Sequence, residues 1–227
     1  MFGIRRKKRG LSAYLWGKHP SFRDFVEAGS PALISKAMRQ WLDTNFSRQA
    51  GRIKERGFSG ISWRFFIRGL ERGQAAAGIL MESSDSIGRA YPLLLIMEGQ
   101  LAEGDSQVTG CIAALEPMWQ AMEQMAAASY VRPEELHQAL AALAEKTEAQ
   151  SMQGPSAVGP AAGGEDNAWA LEGIRAKAGG KPEPRAVFMG GAPSERRLHL
   201  VEHGLDPSDF DALFALHHHQ GRGKSAG

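Results

Sequence analysis

Two apolar stretches decide the fold: Gln74-Ala-Ala-Ala-Gly-Ile-Leu-Met81 and Pro92-Leu-Leu-Leu-Ile-Met97. Both have the length of a strand and are almost continuously apolar, which is typical of central strands covered on both faces of a sheet. The segment between them, residues 82–91, is polar and contains a glycine. Because this connection is short, the two stretches predict an antiparallel or mixed sheet rather than regular strand–helix–strand winding.

The flanking sequence extends this sheet and adds helices on either side. Further strands are predicted at residues 11–16, at 61–68, where apolar and polar residues alternate as in a half-buried strand, and at 186–189 and 198–201. Helices are predicted from Ser30-Pro31 to about Gly51, over 105–128 with a bend or split at Pro117, over 133–150, and from Asp206-Pro207 onward. These elements predict a single-domain α+β fold, with a mixed, largely antiparallel sheet flanked by helices.

Composition changes along the chain divide it into three regions. We expect a basic flexible tip at residues 1–10, an α/β domain over 11–216 and a disordered tail at 217–227. Within the domain, residues 151–166 are rich in Gly, Pro, Ser and Ala without apolar periodicity, which predicts a flexible loop.

Net charge conceals an uneven distribution. The chain has 27 basic and 25 acidic residues, a formal charge of +2. Arg5 to Arg9 supply five of the positive charges, so 22 basic and 25 acidic residues remain, a net of −3. This balance argues against nucleic acid as a partner. The Arg5–Arg9 cluster is most simply a solvated terminus, although it also allows a weak attraction to an anionic membrane surface.

The single cysteine, Cys111, excludes an intrachain disulfide and a cysteine-based zinc cluster. Its position in an apolar helix favours a packing role. No apolar run approaches the roughly 20 residues of a membrane span. The apolar stretch 11–16 is shorter than the roughly 7–15 residues of a signal-peptide core. We therefore expect the protein to be cytoplasmic.

The first polar loop, residues 17–25, contains Lys18, His19, Arg23 and Asp24. One interpretation takes Lys18 and His19 as acid–base groups or anion binders. The favoured one is that Arg23 and Asp24 fix the loop by pairing with each other or with backbone, because charged residues are common in loops.

The second polar loop, residues 82–92, places Ser83 and Ser84 beside Asp85. A nucleophile is conceivable, but the Gly-x-Ser-x-Gly and Ser-x-x-Lys patterns are missing, as is a phosphate-binding P-loop. Serine, aspartate and glycine are also the usual residues of a tight turn. His199, His203 and the run 217–219 are a weak signal for a metal site, so we expect neither metal nor cofactor.

Both loops carry ordered motifs. Trp16-Gly-Lys-His-Pro-Ser-Phe-Arg-Asp-Phe-Val26 and Ser83-Ser-Asp-Ser-Ile-Gly-Arg-Ala-Tyr-Pro-Leu93 resemble the TagF (ImpM) family of type VI secretion-associated proteins. The resemblance is close over residues 11–100 and looser beyond them. Arg23, Glu82 and Tyr91 depart from the family pattern, which usually has glycine, proline and phenylalanine at these positions.

The resemblance implies a regulator rather than an enzyme. Family members act after translation to hold type VI secretion inactive, and the implied partner is the system's cytoplasmic forkhead-associated scaffold. The candidate partner-binding or loop-organising residues are Lys18, Arg23, Asp24, Ser84, Asp85, Gly88 and Arg89, with Arg23 paired to Asp24 and Asp85 to Arg89. The alternative is a small hydrolase or nucleotide-binding enzyme that uses loops 17–25 and 82–92.

Overall fold

The structure is a computed structural model that describes residues 11–71, 73–100, 108–152, 165–177, 183–192 and 195–214. Its strands are β1 (Ser12–Lys18), β2 (Phe25–Gly29), β3 (Ser62–Arg68), β4 (Gln74–Met81), β5 (Leu93–Gln100), β6 (Ala186–Gly191) and β7 (Arg197–Val201). Its helices are α1 (Leu33–Arg56), α2 (Val108–Ala114), α3 (Glu116–Ala127), α4 (Pro133–Met152), α5 (Glu165–Lys177) and α6 (Pro207–Leu213).

The strands form one sheet in the order β2-β1-β5-β4-β3-β6-β7. Every neighbouring pair is antiparallel. The α+β prediction is confirmed, and β4 and β5 lie in the middle of the sheet as their apolar sequences predicted.

Helices cover both faces of the sheet and create two cores. On one face, α1 and α6 pack on residues such as Leu80 and Ile96. On the other face, α2 to α5 pack on residues such as Ile79 and Leu95. Neighbouring residues of one strand therefore enter different cores, which explains why these strands are apolar throughout.

The alternating burial predicted for β3 is present except at Phe66. Trp63 and Phe65 enter the core beneath α1, but Phe66 on the opposite face is also buried, because α3 covers that side. Arg64 shares this second face, where it is bound by two carboxylates of α3.

The start of α1 also differs from the prediction. Its N-cap is Ala32 instead of Ser30, and the cap provides no side-chain hydrogen bond. Glu98 of β5 supplies this function: its Oε2 accepts hydrogen bonds from the backbone N–H groups of Ile34 (2.9 Å) and Ser35 (3.0 Å). A carboxylate is well suited to the positive end of a helix. The helix also continues past the exposed Gly51 to Arg56.

The remaining predictions concern the positions of helices, strands and loops. The predicted split at Pro117 is confirmed between α2 and α3, whereas β2 and α5 were not predicted. The loop proposed at 151–166 overlaps the end of α4 and the start of α5, and residues 153–164 lie outside the described ranges. The basic tip 1–10 with Arg5–Arg9 and the tail 217–227 also lie outside them.

Two described helices, α1 and α4, have a length that could cross a membrane, but they are too polar to do so.

Candidate functional site

Sheet topology brings the two polar loops together. β1 lies beside β5, with Gly17 opposite Leu93, so the first loop begins where the second loop ends. The backbone N–H of Ser86 donates to the carbonyl of Phe22 at 2.8 Å, which joins the loops directly. The two motifs, about 60 residues apart in sequence, therefore build one surface.

The side chain of Asp85 is fully buried beneath the centre of this surface. Its Oδ2 accepts from Lys18 Nζ at 2.9 Å and from Arg89 Nε at 2.6 Å. Its Oδ1 accepts from the backbone N–H groups of Arg89 (2.8 Å) and Ile87 (3.2 Å). Both carboxylate oxygens are therefore used to hold the loops in place.

Burial and hydrogen bonding act in opposite directions on Asp85. Burial disfavours the charged carboxylate, but the hydrogen bonds from Lys18, Arg89 and Ile87 outweigh it and hold the pKa of Asp85 well below its usual range. The carboxylate is thus ionised at neutral pH, which suits a structural anchor and does not suit a general acid.

Arg89 extends this network to the exposed edge of the first loop. Its Nη2 donates to the carbonyl of Arg23 at 2.5 Å and to Asp24 Oδ1 at 3.3 Å. The predicted Asp85–Arg89 pair is present. In the part of the chain that the structure describes, the Arg23 guanidinium forms no ion pair with Asp24, and Arg23 contributes through its carbonyl.

Ser84 and Gly88 shape the second loop through their backbones. Ser84 forms an isolated β-bridge with Ala90. Gly88 adopts a φ of +82°, a conformation that favours glycine, and its N–H donates to the Asp85 carbonyl at 2.9 Å. These bonds close a tight turn that aims Asp85 inward and leaves Ile87 exposed.

Sequence reasoning missed how the first loop is anchored on the side facing α3 and α4. His19 is buried, its Nδ1 accepts from the backbone N–H of Ser21 at 3.2 Å, and its ring packs edge-on against Tyr130. Ser21 Oγ accepts from the backbone N–H of Tyr130 at 3.0 Å. Burial lowers the pKa of His19, although the carbonyls of Ala126 and Met125 oppose the shift. His19 is a neutral anchor of the loop.

This burial predicts an acid-sensitive contribution to stability. Because the pKa of His19 is lower in the folded chain than its ordinary value of about 6.5, the contribution is present above about pH 6.5 and is lost as the pH falls below it. Between about pH 7.5 and 5.5, we expect the melting temperature of His19→Asn to fall less than that of the wild type, by roughly 2 °C. The exposed His137→Asn is the matched control in differential scanning fluorimetry. Equal pH profiles for all three proteins would contradict the assignment.

Aromatic rings flank the loops on the side of α1. Trp16 stacks on Phe25 at 5.1 Å between centroids, and Tyr91 contacts Phe25 and Phe46, both at 4.7 Å. The Tyr91 hydroxyl bonds to Asp43. Burial, together with this carboxylate, raises the pKa of Tyr91 well above its ordinary value, so the phenol remains a donor. Phe25 stays partly exposed and gives the polar surface an apolar border.

The histidines that were a weak signal for a metal site are only partly described, because the run 217–219 lies outside the described ranges. His199 Nε2 bonds to Asp209 at 2.7 Å and joins β7 to α6, while His203 lies in the turn after β7. Among the described residues, no group of three His, Cys, Asp or Glu side chains could hold a metal ion. Cys111 is buried in the core beneath α2 to α5.

Comparison with solved structures supports the fold. The chain resembles PA0076 from Pseudomonas aeruginosa PAO1, whose crystal structure was determined at 2.05 Å resolution, with a TM-score of 0.59 and 19% identity over 89% of this chain and 94% of that one. None of the curated proteins compared with the chain matches it. The family described as TagF N-terminal domain, type VI secretion system-associated, matches residues 14–145, more than half of the chain and both loops. The chain therefore belongs to this family of proteins associated with type VI secretion.

Proposed function

We propose that this protein is a post-translational negative regulator of the type VI secretion system. It acts in the cytoplasm by binding the forkhead-associated scaffold protein through the surface that its two loops form, and it has no catalytic role. Membership of the TagF family supports the association with this secretion system. The geometry of the loops supports binding as the mode of action.

The observation that carries the proposal is that the charged residues of the two loop motifs pair with one another. Lys18 and Arg89 both form ion pairs with Asp85, so these three charges stabilise the loop conformation and are not available to bind a substrate. The surface held in this way exposes Asp24, Ile87 and one side of Arg89. A preorganised surface loses little conformational entropy when a partner binds, which favours protein–protein association.

The enzyme alternative has less support from the same geometry. Acyl transfer at Ser83 or Ser84 requires a base within hydrogen-bond reach of the hydroxyl. Neither serine hydroxyl bonds to a histidine in the described part of the chain, and His19 directs Nδ1 at the Ser21 backbone. Asp85 has no oxygen left to serve as a base.

The first test targets exposed positions whose change leaves the anchors in place. We expect Ile87→Asp and Arg23→Glu each to weaken scaffold binding by at least about tenfold. The first introduces a negative charge into the proposed contact, and the second reverses a positive charge there. The melting temperature should stay within about 2 °C of the wild type. Binding is measured by titration with the purified scaffold, and repression by the amount of secreted substrate protein.

Leu70→Asp is the matched control for Ile87→Asp. Leu70 is also an exposed aliphatic residue, but it lies in the β3–β4 turn, at the opposite end of β4 from the second loop. The Leu70→Asp variant should bind the scaffold and repress secretion normally. Normal scaffold binding and full repression after combined changes at Arg23, Asp24, Asp85 and Arg89 would refute the proposal. A large rise in melting temperature with a nucleotide or metal would favour the enzyme alternative.

A further inference from the structure

A cavity of about 350 Å³ lies beside the second loop, between the C-terminal half of α1, residues 57–58 and the end of α6. Its walls are mainly apolar and aromatic: Phe46, Ile53, Phe58, Tyr91, Pro92 and Phe214. Its volume falls within the range of about 300–1,000 Å³ that is usual for ligand sites. Because the second loop forms one wall, the cavity is continuous with the surface proposed to bind the scaffold.

Phe58 stands at this cavity with 72% of its surface exposed. Gly57 causes this placement: its φ of +77° ends α1, and its N–H donates to the Ile53 carbonyl at 3.0 Å. A large aromatic ring exposed beside an apolar cavity typically marks a contact site, because its burial against a partner is strongly favourable.

Charge at the cavity is positive. Lys54 lines it, is exposed, and has no acidic partner among the residues that the structure describes. Glu82, the one acidic residue among the described residues of the lining, is buried and neutralised. It pairs with Arg56, and its Oε2 accepts from the backbone N–H groups of Ser59 (2.8 Å) and Ile61 (3.3 Å).

We propose that this cavity receives a large apolar side chain from an acidic segment of the partner protein. The apolar side chain packs against Phe58 and the buried aromatic wall, while a neighbouring carboxylate of the segment pairs with Lys54. This inference rests on the proposed function, because it assigns a second contact to the same scaffold.

The cavity itself is tested with 1-anilinonaphthalene-8-sulfonate, an aromatic anion with the required chemistry. We expect one saturable site on the wild type, weakened at least about tenfold by Phe58→Ser and by Lys54→Glu. Lys54→Arg should retain binding. The matched controls are Leu70→Ser, another exposed apolar residue, and Lys36→Glu, which lies about 27 Å away along α1. Equal probe binding by Phe58→Ser and the wild type would overturn the inference.

The partner is tested by titrating the purified scaffold into the same variants. Weaker binding by Phe58→Ser and Lys54→Glu, with normal binding by both controls, would support the assignment. Wild-type affinity in both pocket variants would overturn this inference while the proposed function stands. Failure of the wild type itself to bind the scaffold would refute the proposed function and, with it, the partner assigned to the cavity.

Discussion

Replacing Asp85 with alanine is expected to lower the melting temperature by roughly 5–10 °C and to abolish scaffold binding. The change removes the acceptor of four hydrogen bonds and leaves the ammonium of Lys18 buried without its carboxylate. Arg89 loses the carboxylate that holds its guanidinium in place, so its bond to the Arg23 carbonyl, at the exposed edge of the first loop, is weakened. Both quantities are measurable by scanning fluorimetry and titration with the scaffold.

Asp24→Ala is the matched control for this change. Asp24 also accepts from Arg89, but at 3.3 Å and with 86% of its side chain exposed, and exposed ion pairs contribute little. It should shift the melting temperature by no more than about 2 °C. Asp85→Asn should fall between the two, because its amide oxygen can still accept from the backbone of Ile87 and Arg89. If Asp85→Ala melts within 2 °C of the wild type, the central role of Asp85 is wrong.

Acid should reproduce part of this effect in the wild type. Since the pKa of Asp85 is held below its ordinary value of about 3.9, the stability that it contributes is present above that pH and is lost as the pH falls further. We expect amide hydrogen exchange of Ile87 and Arg89 to respond first, because their N–H groups donate to this carboxylate.

Local sequence patterns predicted the elements whose burial depends on their own residues. Continuous apolar runs predicted β4 and β5, and Pro117 predicted the split between α2 and α3. β2 was not predicted, because a five-residue edge strand with exposed alternate residues resembles a loop until it pairs with β1. The start of α1 was misplaced because its cap, Glu98, lies more than 60 residues away in the chain.

The sequence identified the candidate residues of the two loops but could not predict all of the contacts between them. Asp85 and Arg89 are four residues apart in one turn, so their pairing could be foreseen. The partnership of Lys18 with Asp85 could not, because it depends on β1 lying against β5. The proposed pairing of Arg23 with Asp24 does not form in the described part of the chain, because the two residues lie in a bend before β2 and Asp24 pairs with Arg89 of the second loop instead.

Replacing Arg64 with methionine is expected to destabilise the fold by about 3–5 kcal/mol. Arg64 Nη1 donates to both oxygens of Glu116 at 3.0 and 2.9 Å, and its Nε and Nη2 donate to Glu123 at 2.6 and 2.8 Å. Hydrogen bonds to Glu123 raise the pKa of Arg64 despite its burial. Without the guanidinium, the buried Glu116 would lose the cation that donates to both of its carboxylate oxygens. Urea unfolding measures the loss.

The matched control is Arg68→Met, on the same strand. Arg68 pairs with Glu183 at 3.0 Å in an exposed position, so its loss should be at most about 1 kcal/mol. Adding Glu116→Gln and Glu123→Gln to Arg64→Met should recover most of the stability, because the cost comes from uncompensated charge. If the triple variant is no more stable than Arg64→Met, the cost is lost packing instead. Since Tyr130, just after α3, packs against His19 and bonds to Ser21, we expect Arg64→Met to loosen the first loop and to weaken scaffold binding as well.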